Sequence, residues 1–167
     1  DQRFRLRYAD FGAPNAPTSE VPAPSSNGHA EQAGPLNWKE KTVGLGNLTP
    51  AADIAELQRL VGIQMANLKR PLVIVEVGSW CGQTALAMHD ALGTHPGVIH
   101  CIDHWKGCDG DMTGAYAAEG DPWGIFCRNV GDKLNRSIVP HKGTSLEIAA
   151  AWNQQADLIF IDADHSY

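Results

Sequence analysis

Leu72-Val73-Ile74-Val75-Glu76-Val77 runs straight into Gly78-Ser79-Trp80-Cys81-Gly82, and no other stretch restricts the fold as strongly. An unbroken Leu/Val/Ile run suits a strand covered on both faces, as in a parallel sheet flanked by helices. The one interruption is the acid Glu76. Two glycines four apart then suit a tight strand-to-helix turn where backbone must come close to a ligand. Thr84–Leu92 reads as the helix that follows, and its first amides offer donors and partial positive charge to a carboxylate or phosphate. The glycine spacing is not the Gly-x-Gly-x-x-Gly of a dinucleotide site.

The chain around this stretch alternates helix and strand. Thr49-Pro50 reads as an N-cap and first helical residue. Ile54, Leu57, Val61, Met65 and Leu68 form the apolar stripe of the helix, and Pro71 closes it. Beyond the glycine turn, Gly93 stops the second helix. Val98–Ile102 makes a second strand ending at Asp103. Asp103-His104-Trp105-Lys106-Gly107 opens a long loop to Gly120, read as a mobile lid near a ligand. Asp121-Pro122 caps a third helix with Phe126, Val130 and Leu134 inward. Ile138-Val139 is a short strand stopped by Pro140. Thr144-Ser145-Leu146-Glu147 is a capping box opening a helix through Trp152. Asp157–Ile161 reads as a fourth buried strand.

This order predicts an α/β fold, a doubly wound, Rossmann-like and mostly parallel sheet truncated after its fourth strand. Ligands in such sheets sit at the carboxyl ends of the strands, where strand order reverses. Gly78–Gly82, Asp103, Gly143–Ser145 and Asp162–His165 all fall at those ends. An acid about 20–25 residues past the glycine turn is where nucleotide-type folds grip a ribose, which marks Asp103.

Composition narrows the classes of function. A hydrophobic fraction of 43% in 167 residues suits one globular domain. A formal net charge of −6 with no basic block argues against a nucleic-acid partner. No apolar run reaches membrane-spanning length, and the first residues do not read as a secretory leader. Four cysteines are too few for a disulfide scaffold, so reduced thiols and a cytoplasmic location are expected. Cys101, His104 and Cys108 lack a fourth ligand at convincing spacing for zinc. Asp109-Gly110-Asp111 fails the calcium-loop pattern, having Gly120 where its last acid belongs. Residues 1–36, rich in Pro, Ala, Ser, Asn and Gly beyond Phe11, read as a disordered tail or linker. A start without Met and an end directly after a strand point to a fragment, with residues 37–167 as the amino-terminal part of a domain.

The pattern Glu76-Val77-Gly78-Ser79-Trp80-Cys81-Gly82 resembles the first motif of class I S-adenosylmethionine-dependent methyltransferases. With Ile102–Gly107, Gly143-Thr144-Ser145 and Ile159-Phe160-Ile161-Asp162-Ala163-Asp164-His165-Ser166-Tyr167, the chain more narrowly resembles the macrolide-sugar O-methyltransferase and cephalosporin-hydroxylase-like group. The resemblance implies S-adenosylmethionine as cofactor, its methionine part over Glu76, Gly78, Ser79 and Gly82. It implies that the ribose meets Asp103, with His104 in the cofactor set, and that the adenine lies near Thr144 and Ser145. It also implies Asp162 as a magnesium (Mg2+) ligand and His165 as the candidate base. The acceptor would be a sugar or other hydroxylated small molecule, and an oligomer is compatible with the sequence. Methyl transfer to a hydroxyl is a direct displacement in which alignment is worth up to roughly 7–11 kcal/mol. The contrasting readings are a non-catalytic cofactor-binding or scaffold module and a nicotinamide-dependent oxidoreductase, the latter opposed by the glycine spacing.

Overall fold

The computed structural model describes residues 48–108, 114, 117 and 120–163. The expected tail, the domain start at residue 37, most of the expected lid and His165 lie outside the described residues. The elements run α1 (Ala51–Asn67), β1 (Leu72–Val77), α2 (Gln83–Leu92), β2 (Gly97–Asp103), α3 (Pro122–Val130), β3 (Ile138–Lys142), α4 (Ser145–Ala151) and β4 (Leu158–Ile161). The fold is α/β, with a four-stranded sheet in the order β3-β2-β1-β4. All three pairings are parallel. The chain winds outward from β1 through β2 to β3, then returns to the other side of β1 for β4. That reversal sets the switch point between β1 and β4.

One face of the sheet carries the core. Leu72 and Ile74 of β1, Ile99 and Cys101 of β2 and Ile138 of β3 have no exposed surface. They pack with Leu57 and Val61 of α1, Met88 and Leu92 of α2, and Phe126 and Val130 of α3. Each fully buried side chain of this size contributes roughly 1.5–3 kcal/mol, so this face holds the domain together. Trp105, expected in a loop, belongs to the same cluster and stacks edge-on against Trp123 and beside Phe126.

The other face is covered unevenly. His100 and His141 meet through their ring nitrogens at 2.8 Å, and Trp152 packs edge-on against both. On β4, however, Ile159 is 59% and Ile161 64% exposed. The expectation of a fully buried fourth strand is corrected: β4 is inward only at Leu158 and Phe160. Pro140 does not stop β3, which continues to Lys142. As the end strand of the described sheet, β3 tolerates a residue without an amide donor.

Local signals explain most boundaries. Asp121 accepts from the Gly124 amide with proline at the first helical position. Thr144 and Glu147 complete a reciprocal capping box. At α1 the expected cap is absent: Pro50 occupies the N-cap, and Thr49 turns to partners in α2 and beyond β4. Among the described residues, no helix is long and apolar enough to cross a membrane.

Candidate functional site

The carboxyl ends of the strands are tied to one another by backbone. The Gly78 amide donates to Ile102, the Gly143 amide to Asp103, and the Asp162 amide to Val77, at 2.8–3.0 Å. These three bonds bring the segments after all four strands to one edge. Gly78 sits at φ +91°, and a Cβ there would stand 2.2 Å from the Asp162 carbonyl oxygen. Gly82, at φ +87°, leaves its space to the ring of Phe126. Both glycines were expected to admit a ligand. The space they leave is filled by the chain itself, by the end of β4 and by α3 respectively.

A cavity of about 310 Å³ opens between these ends. Gly78, Ser79, Trp80 and Cys81 line it from the glycine turn, Gln83 and Thr84 from the start of α2. Phe160 and Asp162 line it from β4 and just beyond. Leu48, Thr49 and Pro50 from the segment entering α1 and Asp53 from its first turn complete the lining. Asp53 and Asp162 are its charged groups, and no Lys, Arg or His lines it among the described residues.

Glu76 lies fully buried beside this cavity. One carboxylate oxygen accepts from the Thr84 hydroxyl, while its second oxygen has no hydrogen-bond partner. Burial pushes its pKa up to about 7, outweighing the neighbouring Ser79 and Thr84 hydroxyls, which favour the charged form. The Ser79 hydroxyl, 2% exposed, lies against the Glu76 carboxyl and the Cys101 thiol and favours the charged form of each. The Cys81 thiol, pushed up to about 11 by burial, stays protonated near neutral pH and is a poor nucleophile.

Asp103 is held differently. One of its oxygens accepts from the Trp80 amide at 2.8 Å, the other from the Trp105 amide at 2.6 Å. Both tryptophans have positive φ, 44° and 55°, a conformation L side chains rarely adopt. The indole nitrogen of Trp105 donates to the Trp80 carbonyl at 2.7 Å, closing the arrangement. Asp103 therefore shapes the turn after β1 and the loop after β2 together. Each of its oxygens keeps a second lone pair for another donor.

The other sequence candidates are placed as follows. His104 is half-exposed, its Nδ1 3.8 Å from Asp103 and accepting from the Lys106 amide. The Thr144 hydroxyl is committed to Glu147 in the capping box, and Ser145 opens α4 on an exposed surface. Asp162 lines the cavity, whereas Asp103, Gly82, Thr144 and Ser145 are not among its lining residues. Among the described residues no group of three or more His, Cys, Asp or Glu side chains is arranged to hold a metal ion. Cys101 is wholly buried in the core.

Sequence reasoning missed Thr49, Asp53 and Gln83. Their participation rests on contacts between residues 34 apart, such as Thr49 with Gln83, which periodicity does not carry. The signal for Trp105 was present: an aromatic residue two positions after a strand-end acid.

Among curated proteins none matches the chain. A family described as a methyltransferase domain matches residues 75–167, which spans every strand from within β1 onward and each motif at the carboxyl edge. Membership in that family implies S-adenosylmethionine as methyl donor, and a cavity whose charged lining groups are both carboxylates fits a cationic ligand of that kind. By this match over more than half its length, the chain belongs to the methyltransferase-domain family.

Proposed function

We propose that the cavity at the ends of β1 and β4 receives the donor's methionine end, and that the protein methylates a hydroxyl of a small molecule, a sugar in the narrower reading. The observation that supports this most is the cavity's charge: its charged lining groups, Asp53 and Asp162, are both carboxylates. When bound, S-adenosylmethionine supplies an electrophilic methyl group on a sulfonium. Its positive sulfonium and ammonium groups suit the Asp53 carboxylate on the cavity wall, which leaves Asp162 to the acceptor side.

In this reading Gly78 and Ser79, which line the cavity, form the cradle, with Gly82 shaping the turn into α2 and Glu76 behind it. Asp103 offers its remaining lone pairs to the ribose hydroxyls, with His104 beside it. The third motif contributes near the adenine through Ser145 and backbone, since Thr144 is spent on its cap. Asp162 is a hard oxygen ligand suited to magnesium, which takes one or two carboxylates and keeps several waters. His165, three residues on, is the candidate base, because a hydroxyl is a poor nucleophile at neutral pH. The partner is a hydroxylated small molecule rather than a nucleic acid or a membrane. The free cysteines suit a cytoplasmic setting.

Calorimetric titration with S-adenosylhomocysteine, S-adenosylmethionine and NAD tests the reading. The first two are expected to bind and NAD not to. An absence of adenosylhomocysteine binding by folded protein would sink it. Where turnover is measured, chelation followed by magnesium should remove and restore it, and full activity after chelation would take the metal out of the reading.

A further inference from the structure

The segment entering α1 is not a passive connection. Gln83, the first residue of α2 and 8% exposed, pairs its side-chain amide with both the backbone N–H and the backbone C=O of Thr49. The Thr49 amide donates to Gln83 Oε1 at 3.0 Å, and Gln83 Nε2 donates to the Thr49 carbonyl at 3.2 Å. A carboxamide held at both groups in this way fixes both position and tilt, which one hydrogen bond does not. On the other side, the Thr49 hydroxyl reaches Asp162 Oδ2 at 3.4 Å. Leu48, Thr49 and Pro50 are thereby strapped between the start of α2 and the end of β4, and all three line the cavity.

A second glutamine shows what the arrangement is not. Gln58 of α1 donates to the Ala87 carbonyl of α2 at 3.0 Å and so also joins the two helices. Gln58 does not line the cavity, whereas Gln83 and its Thr49 partner do. Helix packing alone is served by α1 and α2 side chains such as Leu57, Val61 and Met88. The Gln83 pair adds a fixed wall to the cavity.

We infer that Gln83 is a positioning residue: it clamps the Leu48–Pro50 strap across the donor cavity, and this clamp sets how long the donor's methionine end is retained. The inference rests on the proposed donor site and adds to it the element that closes it. Loss of both clamp bonds removes two neutral hydrogen bonds, enough to change retention about tenfold or more.

The test compares Gln83→Leu with Gln58→Leu in the full chain, using S-adenosylhomocysteine as probe. Affinity is read by calorimetry, dissociation rate by stopped-flow displacement, and stability by thermal melting. Amide hydrogen exchange over residues 48–53 is followed with and without the probe. Gln83→Leu is expected to bind about tenfold more weakly through faster dissociation. Probe-dependent slowing of exchange over 48–53 is expected in the unmodified chain and its loss in the variant. Gln58→Leu is expected to lose stability while keeping affinity and exchange protection. Equal affinities in the two variants, or exchange over 48–53 that ignores the probe, would overturn the role of Gln83. If Gln83→Leu does not fold, Gln83→Glu, which keeps the acceptor but turns a carboxylate toward the Thr49 carbonyl, is read by the same criteria. Binding absent from the unmodified chain overturns the donor site itself. Binding present there but insensitive to Gln83 overturns only the clamp.

Discussion

The two ends of the sheet solve the same problem with opposite chemistry. At the amino end Asp157 is buried between β1 and β4, its side chain 2% exposed. Its oxygens take two hydrogen bonds from the Arg70 guanidinium, at 2.5 and 3.0 Å, and one from the Val73 amide at 2.9 Å. At the carboxyl end Asp103 joins β1 to β2, but its oxygens meet the neutral amides of Trp80 and Trp105. A carboxylate saturated by a cation is finished with its work, because the charge is compensated and the fork is filled. One held by amides keeps its net charge and spare lone pairs. With Asp53 and Asp162 in the cavity lining, the carboxyl end carries carboxylates with lone pairs to spare, where Asp157 at the amino end is filled. The carboxyl end is the one open to a ligand.

The join between β1 and the end of β4 is most sensitive to substitution at Gly78. A methyl group there would stand 2.2 Å from backbone at Asp162, in a conformation at φ +91° that disfavours any side chain. Gly78→Ala is expected to cost more than about 4 kcal/mol in denaturant unfolding, since backbone rather than a flexible side chain must move. A loss below about 1 kcal/mol would mean that the ends of β1 and β4 are not held together as described.

Next in size is a pH effect that exists because Glu76 is fully buried, where desolvation outweighs its hydroxyl and thiol donors. Glu76 has a pKa near 7 folded against 4.5 ordinarily. Between those values the folded chain holds a proton that the unfolded chain has released, so stability falls as pH rises through the window. The full swing is on the order of 3 kcal/mol. His100 works the other way: burial lowers it from 6.5 to about 4, so stability falls as pH drops between those values. The opposing slopes partly cancel. Glu76→Gln removes the first, so its melting temperature should fall on acidification from pH 6.5 to 4 more steeply than that of the unmodified chain. Parallel profiles for the two proteins would show that Glu76 is ionised in the fold.

The smallest effect is the most direct comparison of the two ends. Asp157→Asn and Asp103→Asn should each cost about 1–3 kcal/mol in stability, because each leaves buried donors facing an amide. Only Asp103→Asn should also weaken adenosylhomocysteine binding in calorimetry. Equal losses of affinity in both would erase the division between a closed and a receptive end.

Local chemistry made much of this fold legible in the sequence. The apolar run of β1, the Asp121-Pro122 start of α3 and the Thr144–Glu147 capping box all depend on neighbours within a few residues. The switch-point geometry followed from element order and handedness. What was not legible depended on distant partners. Pro140 is permitted within β3 only because that strand lies at the edge. Thr49 looked like a helix cap because nothing nearby announced Gln83. The glycines were read as room for a ligand, although Gly78 makes room for the chain after β4. Of the candidate site, the glycine turn, Asp103 and Asp162 converge on one edge as expected. The segment that strap-closes the cavity came from outside every motif.

Strand order also has a consequence in time. β1 lies inside the sheet, yet the partner on one of its sides arrives 84 residues later, where Asp157 reaches back to Val73. Pairings that distant close slowly, because chain entropy is lost before contacts repay it. At a synthesis rate of about 5–20 residues per second, one edge of β1 stays open for on the order of ten seconds while the intervening chain is made. Leu72, Ile74 and their neighbours form a strongly β-prone stretch during that interval. Glu76, ionised while the chain is still unfolded and set inside that apolar run, then acts as a gatekeeper before it has any ligand to serve.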